Sequence, residues 1–118
     1  MRTRPNILFL MTDQMQGRVL DPSHICRTPN FDRLMERGVR FRRAYTPNAV
    51  CSPARASLMT GLLPHNHGVL EVIHCVDEDQ CNLRSHKPHW AQRLALDGYR
   101  TGYFGKWHVE RTNDLTQY

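Results

Sequence analysis

The chain has 118 residues, 40% of them hydrophobic, with two Trp, four Tyr and four Phe; this supplies a modest core and excludes a disordered tail. Sixteen Lys and Arg against eleven Asp and Glu leave a formal charge of +5, which favours anionic partners through long-range attraction. The basic residues are spread along the chain, densest at Arg37, Arg40, Arg42 and Arg43, with no recognition-helix or RNA-binding pattern, so nucleic-acid binding is not expected.

The first predicted element is the continuous apolar run Ile7-Leu-Phe-Leu-Met11, ended by Thr12-Asp13-Gln14, as suits a strand buried on both faces of a parallel sheet. Thr28-Pro29 reads as an N-cap followed by proline at the first helical position, with Phe31, Leu34 and Met35 on one face and Gly38 as the stop. Val39, Phe41 and Tyr45 then alternate with Arg40, Arg42 and Ala44, as in a half-buried strand. In Cys51-Ser-Pro-Ala-Arg-Ala-Ser-Leu-Met-Thr-Gly61, Pro53 suits a helix start and Gly61 its end, so Cys51 sits at a helix N-terminus. The stretch from Pro64 to Ser85 is rich in His, Asn and Asp with weak periodicity and reads as loop with at most a short strand. Within it His65 and His67 are expected on the surface, while His74 here, and His86 and His89 just beyond, are expected to be structural or solvent-facing. Pro88 to Leu96 is a predicted amphipathic helix with Ala91, Leu94 and Ala95 on one face and Asp97-Gly98 closing it; Tyr99 to Phe104 follows as a strand and Gly105-Lys-Trp-His108 as the loop beyond.

Strands alternating with helices imply an α/β fold with right-handed crossovers and a mainly parallel sheet flanked by helices. Ligands of such sheets gather beyond the carboxyl ends of the strands. Asp13 follows the first predicted strand and Lys106 and His108 follow the last, so these polar residues can converge on one sheet edge. Cys26, Cys51, Cys75 and Cys81 are irregularly spaced with no paired C-x-x-C units, which argues against a closed zinc site; Cys75 and Cys81 can pair if oxidised or remain thiols. No apolar run approaches membrane-spanning length, and Met1-Arg-Thr-Arg-Pro5 leads into the first apolar stretch without a cleavage-like region. The expected product is a soluble cytoplasmic protein without a membrane partner.

A single cysteine in such a chain is ordinarily a small buried hydrophobe; Pro53 and Arg55 change that reading. Cys51-Ser-Pro-Ala-Arg55 resembles the Cys-x-Pro-x-Arg pattern with which sulfatases direct oxidation of cysteine to formylglycine. Arg4-Pro-Asn-Ile-Leu8, Asp13-Gln14, Thr28-Pro-Asn-Phe-Asp-Arg-Leu34, Ser57-Leu-Met-Thr-Gly61 and Gly102-Tyr-Phe-Gly-Lys-Trp-His108 are similar to that family too, in its order. The resemblance covers nearly the whole chain. It implies the alkaline-phosphatase-like sulfatase fold, of which residues 1–118 are expected to be an incomplete N-terminal segment of the catalytic domain.

The activity so implied is arylsulfatase-like hydrolysis of a small sulfate monoester, with formylglycine made from Cys51 by a formylglycine-generating enzyme. A hydrated aldehyde offers two geminal hydroxyls, one to attack sulfur and one to expel sulfate afterwards. By the same resemblance Arg55 supports the alkoxide, Lys106 neutralises a sulfate oxygen and His108 hydrogen-bonds the gem-diol or the substrate. Asp13 and Gln14, with position 51, are the expected ligands of a divalent cation, calcium first and magnesium or manganese as alternatives. The family usually has two adjacent aspartates where this chain has Asp13-Gln14. A glutamine there also resembles phosphonate monoester and phosphodiester hydrolases and choline sulfatases of the superfamily. A hydrolase of that kind, or a catalytically inactive fragment, is the alternative. Trp107 is expected to pack beside the site.

Overall fold

The computed structural model describes residues 4–72, 74–84 and 86–109. The chain divides into two compact units, Met1–Arg43 and Ala44–Tyr118.

In the first unit a 3-10 turn spans Gly17–Leu20, and helix α1 spans Pro29–Arg37 between Thr28 and Gly38. Proline at the first position has its φ preset for the helix and lacks only an N–H that would have gone unused there. The Thr28 hydroxyl bonds the Asp32 carboxylate at 3.4 Å instead of capping a backbone amide. Arg40 donates to Asp21 at 2.8 Å, tying the segment after α1 to the turn before it. The apolar face read from Phe31, Leu34 and Met35 is present in sequence, but no residue of α1 is buried.

The second unit holds helices α2 (Cys51–Thr60), α3 (Pro64–His67) and α4 (Trp90–Leu96), and a 3-10 turn at Glu78–Gln80. Gly61 ends α2 in the left-handed conformation, its N–H returning to the Ser57 carbonyl at 2.8 Å. α3 and α4 both pack on α2. The core is a cluster of Ala56, Val69, Leu83 and Val109, with Trp107 against it. Ala56 therefore carries the inner face of α2, next to Arg55.

The segment after α3 is held to the 80–84 segment by Leu70 N–H to Gln80 O at 2.7 Å and Arg84 N–H to His67 O at 2.9 Å. Gly68 makes this approach possible. Its φ is +94°, and a Cβ there would lie 3.0 Å from the Asn82 carbonyl oxygen and from the Arg84 side chain. Gly68→Ala is accordingly expected to destabilise the chain by about 1–3 kcal/mol, combining left-handed strain with a backbone clash. Urea unfolding of the two proteins measures it, and an unchanged midpoint contradicts it.

The three predicted strands are corrected here: no strand forms among the described residues. Ile7 to Met11 are 43–83% exposed, and Val39, Phe41, Tyr45, Tyr103 and Phe104 are exposed as well. Apolar patterning marks segments that suit a sheet, whereas a strand exists only when neighbouring chain pairs its N–H and C=O groups. The described residues form no such ladder, so the mainly parallel sheet is not established in them. The 64–85 stretch, read as loop, contains α3 and the 3-10 turn.

Candidate active site

Cys51 opens α2 and is partly buried, while Ser52, Pro53, Arg55, Ala56 and Ser57 behind it are buried. The helix starts with little local help. Its N-cap is Val50, which makes no side-chain cap, and Pro53 has no N–H to offer. The approach is fixed instead by Asn48, whose Oδ1 accepts the Val50 N–H at 2.7 Å, and by Thr46, whose hydroxyl donates to the Asn48 carbonyl at 2.8 Å.

Arg55 lies one helical turn beyond Cys51 and is 7% exposed. Its guanidinium donates to the backbone carbonyl of Lys106, as does the Tyr103 hydroxyl. The Cys-x-Pro-x-Arg helix and the Gly-Lys-Trp-His loop, 51 residues apart in sequence, are thus joined by one side chain reading a backbone atom. Trp107 is wedged between Tyr103 and His89, with edge-on ring contacts at 5.2 and 6.0 Å. His108 is partly buried and its ring stacks on His74, centroids 5.8 Å apart. Lys106 itself is exposed.

Among the described residues only two non-glycine residues have positive φ, Gln14 at +56° and His108 at +52°. Both are positions singled out from sequence. Left-handed backbone at such residues costs energy and concentrates where function holds it.

Asp13 and Gln14 belong to the first unit, and Cys51, Arg55, Lys106 and His108 to the second. Asp13 and Gln14 are exposed and offer one carboxylate and one amide oxygen. Calcium takes roughly six to eight oxygens, and no group of three His, Cys, Asp or Glu that could hold a metal occurs among the described residues. The donors fit in kind but do not complete a cation site, and no chemical step is derived through one.

The surface expectation for His67 is corrected, whereas His89 is structural, one of the two roles expected of it. His67, expected on a surface loop, is fully buried: its Nε2 lies 2.9 Å from Ser57 Oγ and its Nδ1 accepts the Val69 N–H at 3.1 Å. His89, 2% exposed, caps α4 in a reciprocal pair with Gln92, its Nδ1 accepting the Gln92 N–H and the Gln92 amide oxygen accepting the His89 N–H. The sequence signal for His67 was its bracketing by Pro64 and Gly68, a helix start and stop in miniature. His89 N-caps α4, which begins at Trp90, two residues after the predicted start at Pro88, and Gln92 stands three positions beyond His89, a capping-box spacing.

Burial lowers both histidines from the ordinary value of 6.5; at His67 a hydrogen bond with the Pro53 backbone opposes the shift, while Arg84 and His65 add to it. The folded chain therefore prefers both rings neutral. As pH falls below about 6.5 the unfolded chain takes up protons that the folded chain refuses, so stability is full above that value and declines below it until the depressed folded values are reached. Each ring contributes a slope of at most about 1.4 kcal/mol per pH unit. Thermal melts between pH 8 and pH 5 are expected to show this decline, and His67→Gln to make it shallower.

The sulfatase family model matches residues 5–118. The chain belongs to the sulfatase family. It is 36% identical over 113 residues to the ulvan-active sulfatase of Formosa agariphila, covering 92% of this chain and 20% of that protein. To the choline-sulfatase of Rhizobium meliloti it is 36% identical over 114 residues, covering 95% of the chain and 21% of the relative. To human arylsulfatase A it is 37% identical over 109 residues, covering 89% and 21%. The chain thus spans about a fifth of the length of these sulfatases. No solved structure matches it. No helix among the described residues of this sulfatase chain is long and apolar enough to cross a membrane.

Proposed function

We propose that residues 1–118 are the N-terminal segment of a sulfatase catalytic domain with the alkaline-phosphatase-like α/β fold, and that the activity served is hydrolysis of a small sulfate monoester. The observation that carries this is the Arg55 bond to Lys106, which brings the helix of Cys51 and the loop of Lys106 and His108 together in a chain of the sulfatase family. Formylglycine, formed from Cys51 by a formylglycine-generating enzyme, supplies an oxygen nucleophile for sulfur and a second hydroxyl through which sulfate is released. Arg55 keeps the Lys106 backbone against α2 and leaves its ammonium group facing solvent, where it neutralises a sulfate oxygen. His108, fixed by its left-handed backbone and its stack on His74, hydrogen-bonds the nucleophile or the substrate. Asp13 and Gln14 are the residues of this chain that would hold a divalent cation, calcium before magnesium or manganese, within a larger donor set.

Gln14 also supports a second reading, a phosphonate monoester or phosphodiester hydrolase with the same nucleophile. Matched aryl sulfate, phosphonate and phosphodiester substrates separate the two by which is turned over fastest. Turnover of none, with calcium, magnesium and manganese supplied in turn, identifies an inactive fragment. The mass of the peptide spanning Cys51, isolated from the native host, tests the nucleophile directly: a fully alkylatable thiol removes it.

A further inference from the structure

We propose that His67 is a positioning residue for the Cys51 turn, its buried ring holding the first two turns of α2 in the form that presents residue 51. The proposal deepens the reading above in one respect, taking Cys51 as the reactive position. Its physical basis is the weak local start of α2: Val50 provides no cap and Pro53 no amide, so the turn that carries Cys51 is held by the Asn48 and Thr46 bonds ahead of it together with tertiary contacts. His67 supplies such an anchor. Nδ1 accepts the Val69 N–H, which leaves the proton on Nε2, and Nε2 faces Ser57 Oγ at 2.9 Å. The ring thereby grips α2 at Ser57, six positions beyond Cys51.

The anchor is itself fixed. His67 follows Pro64 in α3, its carbonyl accepts the Arg84 N–H at 2.9 Å, and Gly68 and Val69 beside it are buried. A ring with both nitrogens engaged and no exposed surface is a rigid strut between the core and the second turn of α2. Arg55, on the same helix, holds the Lys106 loop. A frayed first turn therefore displaces Cys51 and loosens the frame shared with Lys106.

The test uses the chain with its Cys51 thiol unconverted and reads alkylation of each cysteine by peptide mass. Cys81 is fully buried and reports unfolding, whereas Cys26 and Cys75 are exposed and report reagent. In His67→Ala, Cys51 is expected to react about fivefold faster, the population effect of one lost buried hydrogen bond, with Cys81 still protected. Ser57→Ala removes the contact from the other side and is expected to do the same should His67→Ala not fold. His67→Gln, whose amide nitrogen can take the place of Nε2, is expected to return Cys51 towards its original rate. An unchanged Cys51 rate, a parallel rise at Cys81, or no rescue by glutamine overturns the proposal. None of these readouts depends on sulfate turnover, so failure here and failure of the proposed activity are distinguishable.

Discussion

Arg55→Ala is expected to lower the unfolding free energy of the chain by about 1.5–3 kcal/mol, the cost of removing a charged donor from a part-buried hydrogen bond. Arg55 is 7% exposed, so water does little to replace the guanidinium at its own position, while the Lys106 carbonyl keeps the Tyr103 hydroxyl as a donor. Arg55→Lys is expected to recover only part of this, because an ammonium on a shorter stem lacks the planar fork. Tyr103 donates to the same carbonyl from a more exposed position, so Tyr103→Phe is expected to cost less, about 0.5–1.5 kcal/mol. Urea midpoints at unchanged m-value rank the three. Equal midpoints for Arg55→Ala and the parent chain would show that the two motifs are not coupled through this bond.

Under the sulfatase activity proposed above, Cys51→Ala is expected to reduce kcat/KM for an aryl sulfate at least about 10⁴-fold, as removal of a covalent nucleophile does. Its effect on stability is expected to stay within about 1 kcal/mol, because the side chain is only partly buried. The pairing of a large kinetic effect with a small thermodynamic one separates a reactive residue from a packing residue. Arg55→Ala is expected to move both quantities, since the same side chain joins α2 to the Lys106 backbone. Turnover within tenfold of the parent in Cys51→Ala would remove residue 51 from the chemistry. The two substitutions together distinguish a displaced site from an absent nucleophile.

Local chemistry was legible from the residues. Pro29 and Gly38 bracket α1, Gly61 ends α2 and Leu96 ends α4 as the patterns of proline, glycine and apolar spacing require, because these signals act within one or two turns of their own position. Cys51 at a helix start and the order of motifs along the chain were likewise written in sequence, and they determined the family. Strands were not decided at that level. Ile7-Leu-Phe-Leu-Met11 has the composition of a buried strand, but burial and pairing belong to neighbours, and in this chain the run is exposed.

The tertiary structure alone decided which polar groups meet. Arg55 reaches a backbone carbonyl 51 residues away, and no side-chain pattern marks a carbonyl as an acceptor. His67 reads as a surface histidine because its stretch is rich in His, Asn and Asp; it is buried with Ser57 and the Val69 amide engaging both nitrogens. The sequence determined what each residue can donate, accept or react with, and where short helices start and stop. Which of those capacities are used was decided by packing, since hydrogen-bond partners distant in the chain are set by the fold that brings them within 3 Å.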